Sequence, residues 1–252
     1  MKIVKFTAVF TLYLAGTSAL AMTCSSSIET VNNWGDVSRL CDNFVEDSEH
    51  SVFFVDIDGV IINSFYRLVD EKIPEIIQLL REKPNCDVVA LTSRVDTFAD
   101  KTRENTSKVG VQFSNDFFKK DGIILSNECL FEAEWSCVRK RSAYKIDQAG
   151  GIVYTSVDKE NFPSDISLDE FSFFGYEYGY WFDISNSPKG VVMKHMIDNC
   201  LIERPDRIVF VDDNKGNVES VFSSCCELNI PVLSIYFCTK EQQTIDETIY
   251  AE

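Results

Sequence analysis

Four short apolar runs, each followed at once by a polar residue or a cysteine, place the tightest limit on how this chain folds. They occupy residues 52–55, 88–91, 208–211 and 232–237, and they consist largely of valine, isoleucine, leucine and phenylalanine. Continuous runs of this length are typical of strands buried on both faces, as in a parallel sheet. We therefore predict that these four runs are buried strands of a parallel sheet.

Helical patterns lie between these runs. Residues 71–82, 189–203 and 217–228 each repeat apolar positions at the spacing of one helix face. Strands that are buried on both faces and alternate with helices predict the α/β class, here a three-layer, doubly wound parallel sheet. Ligands of such sheets bind beyond the carboxyl ends of the strands.

The stretch from residue 112 to residue 186 departs from this alternation. Segments 122–125 and 151–154 have the pattern of strands, and 171–184 is rich in tyrosine, phenylalanine and tryptophan. We interpret 112–186 as a small α+β insert, or cap, over the ligand end of the sheet. Its aromatic stretch fits either a surface that stacks on a substrate ring or the core of the insert itself.

Charge excludes one class of partner. The 252 residues carry 24 Lys and Arg against 40 Asp and Glu, which gives a net charge of −16. A chain this acidic repels a phosphate backbone, because nucleic-acid binding depends on clustered Lys and Arg. We therefore expect no nucleic-acid partner.

The first 21 residues have the pattern of a signal peptide. Lys2 and Lys5 precede an uncharged, mostly apolar stretch, and Ala19 and Ala21 supply the small residues at a cleavage site. A buried N-terminal helix is the alternative. We predict cleavage near Ala21, a single mature domain over residues 22–252, and export to the periplasm or beyond. No stable membrane anchor is expected after cleavage, since no later apolar run reaches the length of a bilayer span.

Acidic, hydroxyl and basic residues follow the predicted strands in a fixed order. The first strand is followed by two acids that are two residues apart, and the second strand by hydroxyl residues and an arginine. A later strand is followed by two adjacent acids, and a lysine begins the helix that precedes this strand. These residues are Asp56, Asp58, Thr92, Ser93, Arg94, Lys189, Asp212 and Asp213. Solvated loop acids are one alternative for Asp56 and Asp58. A calcium loop is excluded, because Val60 stands where such a loop needs an oxygen ligand.

In this order the motifs resemble those of the haloacid dehalogenase-like (HAD) superfamily of phosphohydrolases. FVDIDGV is similar to its first motif, ALTSR to its second, the lysine of SPKG to its third and VFVDDN to its fourth. The resemblance covers about residues 50–240 and implies a Rossmann-like core. The chain also looks like an exported bacterial subfamily that is catalogued as a domain of unknown function.

The resemblance implies a covalent mechanism with Mg²⁺. Asp56 is then the nucleophile that forms an aspartyl-phosphate, which splits one difficult transfer into two easier steps. Asp58 is the general acid and then the general base. The implied magnesium ligands are a side-chain oxygen of Asp56, the carbonyl of Asp58 and the carboxylate of Asp212, with Asp213 close by. A hard cation fits these oxygen donors.

The remaining motif residues are implied to bind a small phosphorylated substrate. Thr92 and Lys189 would contact the phosphoryl group, and Ser93 follows Thr92 directly. Arg94 fits either contact with a phosphate or a distal charge of the substrate, or solvation at the surface. The chain departs from the superfamily pattern at Gly216, where an acidic residue is common.

Three functions remain open from the sequence. The first is an exported, Mg²⁺-dependent phosphatase acting on a phosphomonoester. The second is a phosphotransferase or mutase that uses the same intermediate. The third is a HAD-fold binding or effector protein without turnover, because a fold does not fix a function.

Overall fold

The computed structural model describes residues 26–133, 136–167, 176–177, 180–181 and 184–238. The predicted signal peptide and most of the aromatic stretch 171–184 lie outside the described residues. The strands are β1 Ser27–Val31, β2 Ser51–Val55, β3 Cys86–Val95, β4 Gly122–Ala133, β5 Ser136–Asp147, β6 Ile152–Asp158, β7 Tyr176–Glu177, β8 Tyr180–Trp181, β9 Ile184–Asn186, β10 Arg207–Asp212 and β11 Val232–Phe237. The helices are α1 Trp34–Phe44, α2 Ile73–Glu82, α3 Ala99–Lys108, α4 Lys189–Asp198 and α5 Lys215–Leu228.

Nine of these strands form one mixed, mostly parallel sheet. Its order is β1-β11-β10-β2-β3-β6-β5-β4, with β9 paired to β6. Every pairing from β1 to β6 along this path is parallel, whereas β5, β4 and β9 add antiparallel pairings. The predicted α/β class with a largely parallel sheet is confirmed, and the four apolar runs are β2, β3, β10 and β11.

The sheet separates two apolar cores because successive strand residues point to opposite faces. On β2, Phe53 and Val55 belong to the core that also contains residues of α1 and α2. Val52 and Phe54 belong to the other core, with residues of α4 and α5. Helices therefore cover both faces of the sheet, which explains why β2 is buried along its whole length.

Part of the segment interpreted as an insert belongs to the main sheet. β6 pairs in parallel with β3, and β5 and β4 continue the sheet beyond it. Residues 122–158 thus extend the central sheet at its β3 side. The cap over the ligand end stays a prediction.

Helix α4 is shorter than the predicted 189–203. It ends at Asp198 with Asn199 as its C-cap, and Cys200 adopts a left-handed backbone at φ 54°. The Leu201 N–H donates to the Met196 carbonyl at 2.9 Å, which closes the end of the helix. Within the described residues, none of the helices combines the length and apolar composition that crossing a bilayer requires.

Helix α1 was not predicted, and it supports the loop that follows Asp56. Asn33 caps its first turn by accepting the Asp36 N–H at 2.9 Å. Trp34 is completely buried, and its ring N–H donates to the Val60 carbonyl at 3.0 Å. The first turn of α1 is thereby attached to the Asp58–Gly59–Val60 segment.

Candidate functional site

Three motif residues meet at one edge of the sheet because their strands are adjacent and parallel. β2 lies between β10 and β3, and Val55 is in register with Val211 on one side and Ala90 on the other. Asp56 follows Val55 directly, and its N–H donates to the Val211 carbonyl at 2.9 Å. The carboxyl ends that carry Asp56, Thr92 and Asp212 therefore lie side by side.

Lys189 connects two of these strand ends through its ammonium group. Its Nζ lies 2.8 Å from Asp56 Oδ1 and 2.7 Å from Asp212 Oδ2. The lysine side chain is only 1% exposed, and that of Asp212 is 0% exposed. A buried carboxylate is costly unless it is paired, so each of these three charges depends on the others for its stability in the interior.

Lys189 reaches this position because the start of α4 is fixed from two sides. Just before the helix, the Ser187 N–H donates to the Thr155 carbonyl on β6, and the Ser187 hydroxyl donates to the Ala143 carbonyl on β5, each at 2.9 Å. On the helix, Gly190 lies so close to α5 that an added Cβ would overlap Ser220. The absence of a side chain at Gly190 thus allows α4 to pack directly on α5.

Asp212 is held by donors that sequence reasoning did not identify. The Asn214 N–H donates to Asp212 Oδ1 at 2.7 Å. The side-chain amide of Asn217, in the first turn of α5, donates to Asp212 Oδ2 at 3.1 Å. The superfamily pattern predicts an acid at the position of Gly216, whereas the side chain that supports Asp212 is the amide one residue later, at Asn217.

Asp213 completes a group of three carboxylates. One carboxylate oxygen from each of Asp56, Asp212 and Asp213 lies within 4.8 Å of the other two. Asp213 reaches solvent, and its carboxylate lies against Gly59 at a backbone φ of 73°. A Cβ at Gly59 would overlap that carboxylate, so this approach depends on glycine.

Burial and mutual repulsion disturb the ionisation of this group. Burial raises the pKa of Asp56 to about 7, and the charge of Asp212 adds to the rise while Lys189 opposes it. Burial, with the charge of Asp212, raises the pKa of Asp213 to about 6. Burial acts to lower the pKa of Lys189, but the charges of Asp56 and Asp212 outweigh it and the pKa rises. The group carries more negative than positive charge when fully ionised.

Asp58 does not join the three carboxylates and pairs with Arg94 instead. The Arg94 Nε donates to Asp58 Oδ2 and its Nη2 donates to Oδ1, both at 2.7 Å. The Asp58 side chain is 54% exposed and the Arg94 side chain 12% exposed. The interactions with Asp58 raise the pKa of Arg94, although burial acts to lower it.

Thr92 and Ser93 lie at the end of β3 beside a residue of β6. Thr92 is buried, and its hydroxyl oxygen accepts the Arg94 N–H at 3.3 Å. Thr155, which the sequence analysis did not select, donates its hydroxyl to the Thr92 carbonyl at 3.3 Å and lies 3.5 Å from the exposed Ser93 hydroxyl. Thr92, Ser93 and Thr155 together bring three hydroxyl groups to neighbouring positions on β3 and β6.

Comparison with known proteins gives a family but no activity. No curated protein matches the chain significantly. The crystal structure of M1.HpyAVI aligns over 88% of this chain and 98% of its own, with 11% identity and a TM-score of 0.34, a likeness too low to support any inference. The family model described as "Protein of unknown function (DUF2608)" matches residues 38–251, and the chain belongs to that family.

Proposed function

We propose that this protein is a Mg²⁺-dependent phosphatase that hydrolyses a phosphomonoester through an aspartyl-phosphate on Asp56. The observation that carries the proposal is the buried Lys189 ammonium, which lies within 2.8 Å of the carboxylates of both Asp56 and Asp212. Three separate chain segments converge at that point. Such convergence of charge at a strand end is typical of a site built for an anionic substrate and a cation.

The donors present fit a hard divalent cation. Asp56, Asp212 and Asp213 each offer an oxygen in one small group, and Asp58, whose carbonyl is the further expected donor, follows Asp56 by two residues. A net negative charge remains there after the single charge of Lys189, which favours a second cation. When bound, Mg²⁺ supplies charge that offsets the repulsion between carboxylate and phosphate.

The chain's own residues then perform two transfers. A carboxylate oxygen of Asp56 bonds to phosphorus as the bond to the leaving oxygen breaks, and Asp58 gives its proton to that oxygen. In the second step Asp58 takes a proton from water, whose oxygen attacks the phosphorus. The bond between Asp56 and phosphorus breaks, and inorganic phosphate leaves with the carboxylate restored.

Lys189 and Thr92 stabilise the charge that develops on the phosphoryl oxygens. The ammonium of Lys189 is fixed before the reaction begins, because both Asp56 and Asp212 hold it. A charge held in place in a dry site stabilises a transition state without reorganisation. Thr92 adds a hydroxyl at the neighbouring strand end.

A phosphate-release assay tests the proposal. We expect the purified protein to release phosphate from some phosphomonoesters of a broad panel when Mg²⁺ is present, and to lose this activity after chelation. Asp56→Asn should lower kcat by about 10³-fold or more. Asp116→Asn, the same change at an exposed aspartate on the chain, should leave it intact.

Each other outcome has a clear meaning. Phosphate release that survives Asp56→Asn contradicts the mechanism. Transfer of the phosphoryl group to an added alcohol in place of water favours the phosphotransferase or mutase. Binding of Mg²⁺ and of phosphate esters without turnover favours a binding or effector protein.

We also propose that the chain is exported and cleaved near Ala21. The support is the sequence of residues 1–21, which lie outside the described residues. Mass measurement of the protein recovered outside the cytoplasm should give a chain that begins near Met22. Recovery of the intact chain from the cytoplasm alone contradicts export.

A further inference from the structure

The pairing of Arg94 with Asp58 occupies the group that the proposed mechanism needs for proton transfer. Both carboxylate oxygens of Asp58 accept a hydrogen bond from the guanidinium, one from Nε and one from Nη2. A general acid must place an oxygen against the leaving group of the substrate. These two contacts hold the Asp58 carboxylate toward Arg94, and release of at least one of them would let it turn to the leaving group.

Arg94 keeps other contacts when Asp58 moves away. Its Nη1 donates to the Thr102 hydroxyl at 3.3 Å, and its guanidinium carbon lies 5.9 Å from the centre of the Tyr66 ring. These contacts use the parts of the guanidinium that do not face Asp58. The Nε/Nη2 edge would then present two parallel donors, a geometry that matches a carboxylate or a phosphate.

The backbone on both sides is shaped to hold Arg94 in this orientation. Thr92 and Val95 on β3 are in register with Tyr154 and Ser156 on β6, so two residues of β3 oppose one of β6. This bulge contains Arg94, and bulges re-aim side chains next to functional sites. Tyr66 adopts a left-handed backbone at φ 57°, a conformation that is strained for a bulky residue and that is enriched at functional sites.

The loop around Tyr66 is fixed by hydrogen bonds despite its exposure. Asn63 Oδ1 accepts the N–H groups of Phe65 and Arg67 at 2.9 and 3.1 Å, and the Asn63 carbonyl accepts the Tyr66 N–H. Phe65 and Tyr66 as whole residues remain 79% and 55% exposed. Tyr66 is therefore held beside Arg94 by its own loop and not by burial in the core.

We propose that the Nε/Nη2 edge of Arg94 binds a second anionic group, a carboxylate or a phosphate, on the leaving-group part of the phosphomonoester. When this anion takes the place of Asp58 on the Arg94 guanidinium, the Asp58 carboxylate becomes free for proton transfer. The inference rests on the proposed phosphatase function and narrows its substrates to esters that carry two anionic groups. Arg94 acts as a specificity-determining residue.

Two matched pairs of esters test this selectivity. One pair is a phosphorylated hydroxypropionate and its primary amide, and the other is propanediol bisphosphate and propanediol monophosphate. We expect kcat/KM to favour the doubly anionic member of at least one pair by about tenfold or more, as expected for a charge-assisted, two-pronged contact. The pair that responds shows whether the second group is a carboxylate or a phosphate.

Substitutions at Arg94 and Arg39 distinguish recognition of the second anionic group from a general effect of losing an arginine. For the pair that shows selectivity, Arg94→Gln should bring the ratio of the two kcat/KM values close to one. Arg39→Gln, at a largely exposed arginine of α1, should leave this ratio unchanged. Equal kcat/KM within both pairs, with hydrolysis that still depends on Asp56, overturns the inference and leaves the phosphatase standing. If Arg94→Gln slows both members of each pair equally, Arg94 only orients Asp58 and the inference is wrong.

A binding measurement decides the question if no ester is hydrolysed. Calorimetry with Asp56→Asn should show tighter binding of the doubly anionic ester, and the added change Arg94→Gln should abolish the difference. If this pattern of binding is found without turnover, the proposed phosphatase function is overturned, but binding of a second anionic group by Arg94 is supported. Equal binding of both members of each pair overturns the anion site.

Discussion

The ammonium of Lys189 lies 2.7 Å from a carboxylate oxygen of Asp212, and both side chains are almost completely removed from solvent. Asp56 shares the same ammonium at 2.8 Å. The lysine is thus the positive centre of the three carboxylates at the end of β2 and β10. Its loss would affect both stability and chemistry.

Lys189→Met should destabilise the protein by about 3–5 kcal/mol, because it leaves buried carboxylates without their cation. Chemical denaturation followed by circular dichroism measures this loss in the absence of divalent cations. Lys215→Met is the matched control, since Lys215 is largely exposed and lies 3.8 Å from Glu219. Equal effects of the two changes contradict the structural role given to Lys189.

The free energy of unfolding should fall between about pH 4 and pH 7 through the contribution of Asp56. Its folded pKa of about 7 lies above the ordinary value of 3.8, so the folded protein binds more protons than the unfolded chain in this window. Stability therefore falls as the pH rises, by at most about 1.4 kcal/mol per pH unit from this group. Asp56→Asn should remove this part of the slope in cation-free buffer, and an unchanged slope contradicts the raised pKa.

Mg²⁺ should stabilise the protein, and the effect should be larger at pH 8 than at pH 5, because protons compete for the Asp56 and Asp213 carboxylates. At a concentration about 100 times the Kd, the gain is about 2.7 kcal/mol. A thermal melt with and without Mg²⁺ measures it. Asp212→Asn should abolish the gain while Asp116→Asn retains it; a gain that persists in Asp212→Asn places the ion elsewhere.

Gly59→Ala should weaken Mg²⁺ binding as well as stability. Gly59 has a φ of 73°, and a Cβ there would overlap the Asp213 carboxylate and displace it. Gly122→Ala is a close control, because Gly122 has a φ of 95° but an added Cβ would meet no atom within 4 Å. Each change should cost about 1 kcal/mol or more through backbone strain. Only Gly59→Ala should raise the Kd for Mg²⁺ in calorimetry, and equal Kd values in both variants contradict the role given to Gly59.

The strand-end residues could be predicted from the sequence because their placement depends on local patterns. Continuous apolar runs predict buried parallel strands, and the carboxyl ends of adjacent parallel strands meet at one edge. This rule places Asp56, Thr92 and Asp212 at the ligand end of the sheet, whereas the order that makes their strands neighbours was not predicted. Lys189 required the additional resemblance to known motifs, because a lone lysine at a helix start has no distinctive pattern.

Other parts of the site depend on contacts that no local pattern records. Helix α3 presents Thr102, Asn105 and Thr106 as its buried residues, so it lacks the apolar stripe by which helices are recognised. The contact of Arg94 with Asp58 arises from a bulge in β3 and joins residues 36 positions apart. The support of Asp212 by Asn217 depends on the first turn of α5. These are properties of three-dimensional packing.

Trapping the covalent intermediate tests the central claim most directly. The protein is mixed with Mg²⁺ and a substrate found in the phosphate-release assay, quenched in acid within one turnover and digested for mass spectrometry. We predict that the peptide containing Asp56 gains the mass of one phosphoryl group, that fragmentation places it on Asp56, and that Asp56→Asn shows no gain. Hydrolysis that proceeds with no phosphoryl group on Asp56, or with one on a different residue, contradicts the account.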